Sequence, residues 1–157
     1  MCGGFKLSVI WYSDADLIIL SDVDPVTGVV KPLPSDTPAE RKAKRQKPYI
    51  NKRRVIFIVK YLGEEFVIPI KKGYRWDGAT CLGLHHLPFL LNASMVHDFC
   101  CENHSILHND RELSTRLFKE IGIASGGWRW FMTGAYHVIN VFQKYFGRDR
   151  QGYRWTK

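Results

Sequence analysis

Residues 55–70 read VIFIVKYLGEEFVIPI, and they indicate the class of fold more clearly than any other segment. Two β-branched, apolar runs stand on either side of a turn formed by Gly63, Glu64 and Glu65. This pattern predicts an antiparallel β-hairpin with strands at residues 55–61 and 66–70. The segments before and after the hairpin predict further strands and helices.

The N-terminal part of the chain predicts more β structure and then a basic loop. Residues 5–12 and 17–23 are β-leaning runs, and residues 24–28, Asp-Pro-Val-Thr-Gly, have the composition of a hairpin turn. We therefore expect a β-ribbon over residues 1–30. Residues 31–54 contain Pro, Ser, Thr and a run of Lys and Arg, which cannot supply apolar surface to a core. They predict an exposed, mobile basic loop.

Three helices are predicted after a glycine-rich loop. Residues 71–86 contain three glycines, so they predict an irregular loop whose backbone can approach a neighbour or a ligand closely. Beyond it the apolar spacing becomes helical. The first helix covers residues 89–102, the second begins at Asn109 as N-cap and ends at Gly122, and the third covers residues 128–146. The spacing in the third helix predicts eight buried side chains: Trp128, Phe131, Met132, Ala135, Val138, Ile139, Phe142 and Tyr145.

Strands followed by a block of helices define an α+β fold. The arrangement expected here is N-terminal antiparallel β-hairpins followed by a three-helix block. At 157 residues, of which 45% are hydrophobic and 13% aromatic, the chain has the length and composition of one ordinary domain. We expect a single domain over residues 1–157, with residues 55–146 as its core of hairpin, glycine-rich loop and helices.

The net charge of the chain indicates which kinds of molecule it could bind. Lys and Arg number 23 against 15 Asp and Glu, which gives a formal charge of +8. A basic chain attracts polyanions, and the cations between Arg41 and Arg54 could bind phosphate. A solvated loop of this charge is equally common in proteins that never meet nucleic acid. Binding of nucleic acid through this loop therefore stays one alternative.

The sequence predicts neither a signal peptide nor a membrane span. The first residues lack a basic segment followed by an apolar stretch and a cleavage site, and the most apolar later stretch, residues 128–146, is interrupted by polar side chains. The four cysteines are too few and too unevenly spaced for a disulfide scaffold. We expect reduced thiols.

A His-Asp dipeptide inside an apolar segment is the main candidate for chemistry. His97 and Asp98 lie in such a segment, and an imidazole or a carboxylate that leaves water needs a partner. Successive helical residues project about 100° apart, so both can border one cleft. Asp77, on the glycine-rich loop, would add a second carboxylate and complete a hard-metal or general-base site. A core histidine bonded to Asp98, with Asp77 capping a turn, explains the same residues without function.

A zinc site is a further alternative. His97, Cys101, His104 and His108 stand at offsets of four, seven and eleven residues and would share one face of a long helix. Four such ligands could close a tetrahedral site, but their spacing matches no common zinc signature. The polar stretch before Asn109 also argues against a helix of that length.

Four motifs follow one another along the chain. They are a β-hairpin ending in Ile68-Pro69, the loop Gly73-Tyr74-Arg75-Trp76-Asp77-Gly78-Ala79-Thr80, the helical sequence His97-Asp98-Phe99, and Arg111 with Phe118 on the next helix. This order resembles the small phage and prophage family catalogued as domain of unknown function 1353. The resemblance covers roughly residues 55–146 and leaves out the N-terminal ribbon and the basic loop.

The resemblance implies a cluster built from the loop and the helix: Asp77, Gly78, Ala79, Thr80, His97 and Asp98. The chain departs from the family at two positions. Thr115 stands where many members have an Asp, and Cys81 follows Thr80 where the family usually has a Pro. The outline is also similar to secreted calcium-dependent phospholipases, in which a His activates water and an Asp binds calcium.

These expectations combine into a phage or prophage accessory protein with a hydrolase-like site. His97 would be the general base, and Asp77 and Asp98 would hold a divalent cation, Ca²⁺ or Mg²⁺ rather than Zn²⁺. Four further residues would contribute to binding: Gly78, Ala79, Thr80 and Arg111. The alternative is a non-catalytic virion, tail or assembly protein whose basic loop docks on another phage protein or on nucleic acid. Both place the chain in a virion or in the cytoplasm of an infected host.

Overall fold

The computed structural model describes residues 9–79, 83–84 and 87–146. In this part of the chain, seven strands and four α-helices occur in the order β1 (Val9–Ser13), β2 (Leu17–Ser21), β3 (Thr27–Val29), α1 (Pro38–Gln46), β4 (Tyr49–Asn51), β5 (Val55–Tyr61), β6 (Glu64–Ile70), β7 (Arg75–Trp76), α2 (Pro88–Glu102), α3 (Arg111–Ala124) and α4 (Arg129–Phe146). A short 3₁₀ helix, His104–Leu107, joins α2 to α3. The α+β class is confirmed, with four helices where three were predicted.

The strands β1, β2, β5 and β6 form an antiparallel sheet in that order. The predicted hairpin is β5 with β6, and β6 begins two residues earlier than expected because Glu64 pairs with Tyr61. Leu62 and Gly63 form the turn with φ angles of 50° and 82°, the left-handed values that a two-residue hairpin turn requires. One face of the sheet is buried, and its side chains alternate along β2 and β6: Leu17, Ile19, Phe66, Ile68 and Ile70.

The predicted N-terminal ribbon corresponds to β1 and β2, joined by a turn at residues 14–16; its first eight residues lie outside the described part. The hairpin turn predicted at residues 24–28 is wrong. Instead β3 pairs with β4, and β4 with β7, in a second sheet. The chain leaves β2 because Asp22 binds the backbone of Ile56 through both its N–H and its carboxylate. The carbonyl of Val26 then accepts from the N–H of Lys52, which sets β3 against β4.

The prediction of a loop throughout residues 31–54 is also wrong, because this segment contains α1 and β4. Helix α1 begins with a capping box: the Thr37 hydroxyl accepts from the Glu40 N–H, and the Glu40 carboxylate accepts from the Thr37 N–H. Pro38 occupies the first helical position, where its fixed φ suits the helix. No side chain of α1 is buried. The helix is therefore stabilised by its N-terminal cap and not by packing against the core.

The helices α2, α3 and α4 form the predicted block, with α3 packed against both of the others. Helix α3 starts one residue later than expected: Asp110 is its N-cap and accepts from the Leu113 N–H at 2.9 Å. Asn109 cannot be the N-cap, because its φ of 63° is left-handed and an N-cap residue needs an extended backbone. The helix also runs on through Gly122, where an added Cβ would have to displace the end of the Met132 side chain of α4.

Helix α4 has nearly the predicted bounds but a different burial. Met132, Ala135 and Ile139 are buried against the body of the protein, and Phe131 is half-buried. The prediction of burial is wrong for Trp128, Val138, Phe142 and Tyr145, all more than half exposed. Helical spacing identifies which side chains share a face, but α3 covers α4 along one side and leaves these four in solvent. None of the helices in the described ranges is long and apolar enough to cross a bilayer.

Candidate functional site

The three residues of the predicted centre lie on two elements that pack together. Asp77 directly follows β7, and His97 and Asp98 lie in the last two turns of α2. Trp76, the last residue of β7, is fully buried and its indole N–H donates to the Ser94 hydroxyl of α2 at 3.2 Å. This contact fixes the end of β7 on α2 and thereby places Asp77 beside Asp98.

The carboxyl groups of Asp77 and Asp98 are within hydrogen-bonding reach of each other. Burial raises the pKa of Asp98 to about 6, and the hydrogen bond and negative charge of Asp77 act in the same direction, while His97 opposes them. The Oδ2 atom of Asp98 is buried and finds no donor in the described residues. Two carboxyls in this position can bond to each other only when one holds a proton. The predicted convergence of Asp77 with Asp98 is therefore present.

His97 lies behind this carboxyl pair, with 13% of its side chain exposed. Its Nδ1 is 3.6 Å from Oδ1 of Asp98, and its Nε2 is 3.2 Å from Nε2 of Gln143 on α4. The Sγ of Cys101 is nearly equidistant from the two ring nitrogens, at 3.9 Å from Nδ1 and 3.7 Å from Nε2. The edge of Phe118 meets the ring from α3, with centroids 5.7 Å apart.

Opposing influences set the protonation of His97. Burial acts to lower its pKa, but the sulfur of Cys101 and the carboxylate of Asp98 together outweigh burial and raise the pKa well above the ordinary value. The side-chain amide of Gln143 acts with burial against a positive charge, because its Oε1 accepts from Arg111 and Thr115 and its NH₂ therefore faces Nε2 of the ring. Since the pKa is raised overall, His97 at neutral pH serves better as a positive partner for Asp98 than as a general base.

Asp77 gives this cluster its access to solvent. It lines a cleft of about 570 Å³ together with Ala43, Gln46 and Lys47 from the C-terminal end of α1. Lys47, which also lines the cleft, pairs with Glu102 of α2 at 2.7 Å. A molecule in the cleft would meet Asp77 first, with Asp98 and His97 reached through it.

The residues predicted to contribute to binding have different positions. Gly78 and Ala79 are buried next to Asp77, and Thr80 lies outside the described residues. Arg111 joins α3 to α4: its Nη1 donates to the Asn140 side chain at 3.0 Å and to Oε1 of Gln143 at 3.4 Å. Its role is to hold the helices, and through Gln143 it reaches the far side of His97.

Gln143 was not singled out from the sequence, and Thr115 was noted only as a departure from the family. The Thr115 hydroxyl donates to Oε1 of Gln143 at 3.0 Å and so orients the amide that touches His97. The offset of four residues between His97 and Cys101, noted for the zinc alternative, does bring these two side chains together. The sequence carries no comparable signal for Gln143, because its place depends on how α4 packs.

The four residues of the zinc alternative do not come together. Helix α2 ends at Glu102, and His104 lies in the following 3₁₀ helix. His108 is exposed near Glu64 of β6 and packs edge-on against Phe66. Across the described residues, no three His, Cys, Asp or Glu side chains are grouped in a way that could hold a metal ion.

Comparison with known proteins leaves the family open: no family model matches the chain, and neither a curated protein nor a solved structure matches it. The resemblance stated above stays a prediction.

Proposed function

We propose that the chain is a phage or prophage accessory protein in which Asp77, Asp98 and His97 form a hydrolase-like acid–base centre. One observation carries this proposal: two carboxyls distant in sequence meet, the inner one has its pKa raised to about 6, and the outer one faces a cleft. Carboxyl pairs whose environments separate their proton affinities are suited to acid–base catalysis near neutral pH.

Each residue has a distinct part in this proposal. Asp77 is the catalytic residue, since it faces the cleft and would take a proton from water bound there. Asp98 is a positioning residue that exchanges a proton with Asp77, and His97 stabilises the Asp98 carboxylate. A Ca²⁺ or Mg²⁺ ion would find two carboxylate ligands here and would need backbone, water or substrate for the rest of its six to eight oxygens. The cation is thus an optional part of the proposal.

Hydrolysis of a panel of chromogenic carboxylic and phosphoric esters tests the proposal. We expect activity that rises as pH passes about 6, and a loss of roughly a hundredfold or more in Asp77→Asn and Asp98→Asn. Asp24→Asn, an exposed Asp to Asn change outside the lining of the cleft, is the matched control and should keep full activity. Each rate is measured with and without added Ca²⁺ or Mg²⁺. Equal rates in wild type and both site variants would refute the centre.

Helix α1 supports a second candidate, a non-catalytic protein that docks on a polyanion. Helix α1 has no buried side chain, and Lys42 and Arg45 face solvent. The Arg75 guanidinium nevertheless holds the helix in place by donating to the Lys47 carbonyl at 2.6 Å and the Ala43 carbonyl at 3.3 Å. A cationic helix kept at the surface without any core role is suited to contact phosphates.

Charge-reversal variants distinguish binding through α1 from a general effect of the net charge of the chain. The double variant Lys42→Glu/Arg45→Glu should bind duplex DNA at least about tenfold more weakly at low salt than the wild type does. The control Lys60→Glu/Lys72→Glu makes the same change in net charge at two other exposed lysines and should have a smaller effect. Fluorescence anisotropy over a salt series measures both. An equal loss in the two double variants would contradict a role for α1.

A further inference from the structure

The solvent-facing side of α4 is unusually apolar. Trp130 is 73% exposed and Val138 58%, and three further apolar side chains on this side are also more than half exposed: Val141, Phe142 and Tyr145. Trp128 stacks on Trp130, with ring centroids 6.0 Å apart, and extends the patch past the start of the helix. Soluble monomers rarely expose so many large apolar groups side by side. We call this set of side chains the α4 face.

The spacing along this face is that of a helix-packing seam. Phe131, Gly134, Val138, Val141 and Tyr145 follow one another at intervals of three, four, three and four residues, the pattern of helices that pair side by side. Gly134 lies in a shallow groove of about 260 Å³, lined also by Trp130 and Leu84. Apart from the adjacent residues and the backbone of α4 itself, no atom of the described residues lies within 4 Å of the place where its Cβ would be. A second helix backbone can therefore approach closely at this point.

We infer that the α4 face is covered by the α4 face of a second copy of the chain, the two helices running antiparallel about a twofold axis near Val138. The available area fits such an interface. Aromatic side chains bury roughly 150–250 Å² each, so the exposed parts of the four aromatics offer on the order of 500 Å² before the valines are added. A standard interface takes about 800 Å² from each partner.

Charge favours a second copy over an anionic surface. Helix α4 contains only two Lys or Arg residues among its 18, Arg129 and Lys144, whereas helices that lie on anionic lipid are rich in both. The cations of this chain are concentrated on α1 instead. In the antiparallel pair, the two Lys144 residues lie about 18 Å apart along the axis, beyond the range of strong repulsion at physiological salt.

Sedimentation of the full chain over a wide concentration range tests the inference. We expect a monomer–dimer equilibrium that tightens with added salt, since two chains of charge +8 repel each other. Val138→Glu should raise the dissociation constant roughly tenfold or more. Val67→Glu is the matched control, because Val67 is a 47% exposed valine on β6, and it should leave the equilibrium unchanged. Thermal melts of both variants at low concentration verify that they fold.

Three outcomes would overturn the inference. One is a chain that stays monomeric at every concentration, and another is a dimer that is indifferent to Val138→Glu. The third is a monomer that binds anionic vesicles through Val138, which would assign the α4 face to lipid. The first of these outcomes has a sub-case: if Val138→Cys in a monomeric chain resists alkylation at position 138, the face is covered by another part of the same chain.

Discussion

Trp76→Ala is expected to lower the free energy of unfolding by about 3–5 kcal/mol, the range found when a large buried aromatic is truncated. Trp76 is fully buried and stacks on Tyr74, with ring centroids 6.2 Å apart, and it also contacts Tyr49 of the neighbouring strand. Its indole N–H bonds Ser94 of α2. The truncation would therefore leave a cavity between the small sheet and α2, and the Ser94 hydroxyl would lose its donor while keeping its own bond to the Leu91 carbonyl.

Urea unfolding, followed by fluorescence at low protein concentration, measures this change. Trp76→Phe keeps most of the ring packing and loses the bond to Ser94, so we expect a smaller decrease of about 1–2 kcal/mol. Trp130→Ala is the matched control, since the same substitution at a mostly exposed tryptophan should change stability by less than about 0.5 kcal/mol. A decrease below about 1 kcal/mol for Trp76→Ala would mean that β7 is not packed on α2 as described.

Stability is expected to decrease as pH rises from about 4 to about 6, which is the reverse of the usual behaviour of a carboxyl. The pKa of Asp98 is raised from 3.8 to about 6, so between these values the folded chain binds more protons than the unfolded chain. The resulting decrease in the free energy of unfolding is at most about 3 kcal/mol. The raised pKa of His97 continues the decrease above pH 6.5 in the same direction. Exposed acids with lowered pKa values, such as Asp14, act in the opposite sense below about pH 4.

Unfolding experiments at a series of pH values separate the Asp98 contribution. In Asp98→Asn the slope between pH 4 and 6 should largely disappear, because the amide does not titrate, while the slope above pH 6.5 should persist in reduced form. Asp24→Asn, at an exposed position, should reproduce the wild-type curve. A wild-type curve that is flat or rises over pH 4–6 would show that Asp98 is not shielded from water beside Asp77.

The hairpin β5–β6 and helix α2 could be predicted because their signals are local. β-branched runs around Gly63, and an apolar run after Pro88, specify conformation within a few residues. Helix α1 has no apolar face that would predict a helix, and the only local signal for it in the sequence is the capping pair Thr37 and Glu40. The pairing of β3 with β4 could not be predicted, since three-residue strands far apart in the chain carry little pattern.

The candidate site divides in the same way. The sequence predicts that Asp77 meets the His97-Asp98 pair, because Asp77 lies in a glycine-rich loop and the pair lies in an apolar helix. The sequence does not predict the protonation state of His97, because that state depends on Gln143, and the packing of its helix cannot be read from the sequence. The exposure of Val138 was missed for a related reason: periodicity indicates a face, but only tertiary structure decides what lies on it.

The two-residue strand β7 has a consequence for how this chain can vary. Consecutive side chains on an extended segment point to opposite sides, and here three neighbours have three separate tasks. Arg75 retains α1, Trp76 fills the interior and Asp77 meets Asp98. A single inserted or deleted residue between Ile70 and Arg75 would exchange these directions all at once. We therefore expect substitutions of the exposed Lys71 and Lys72 to be tolerated, and a change in the number of residues in this connection to disrupt all three contacts.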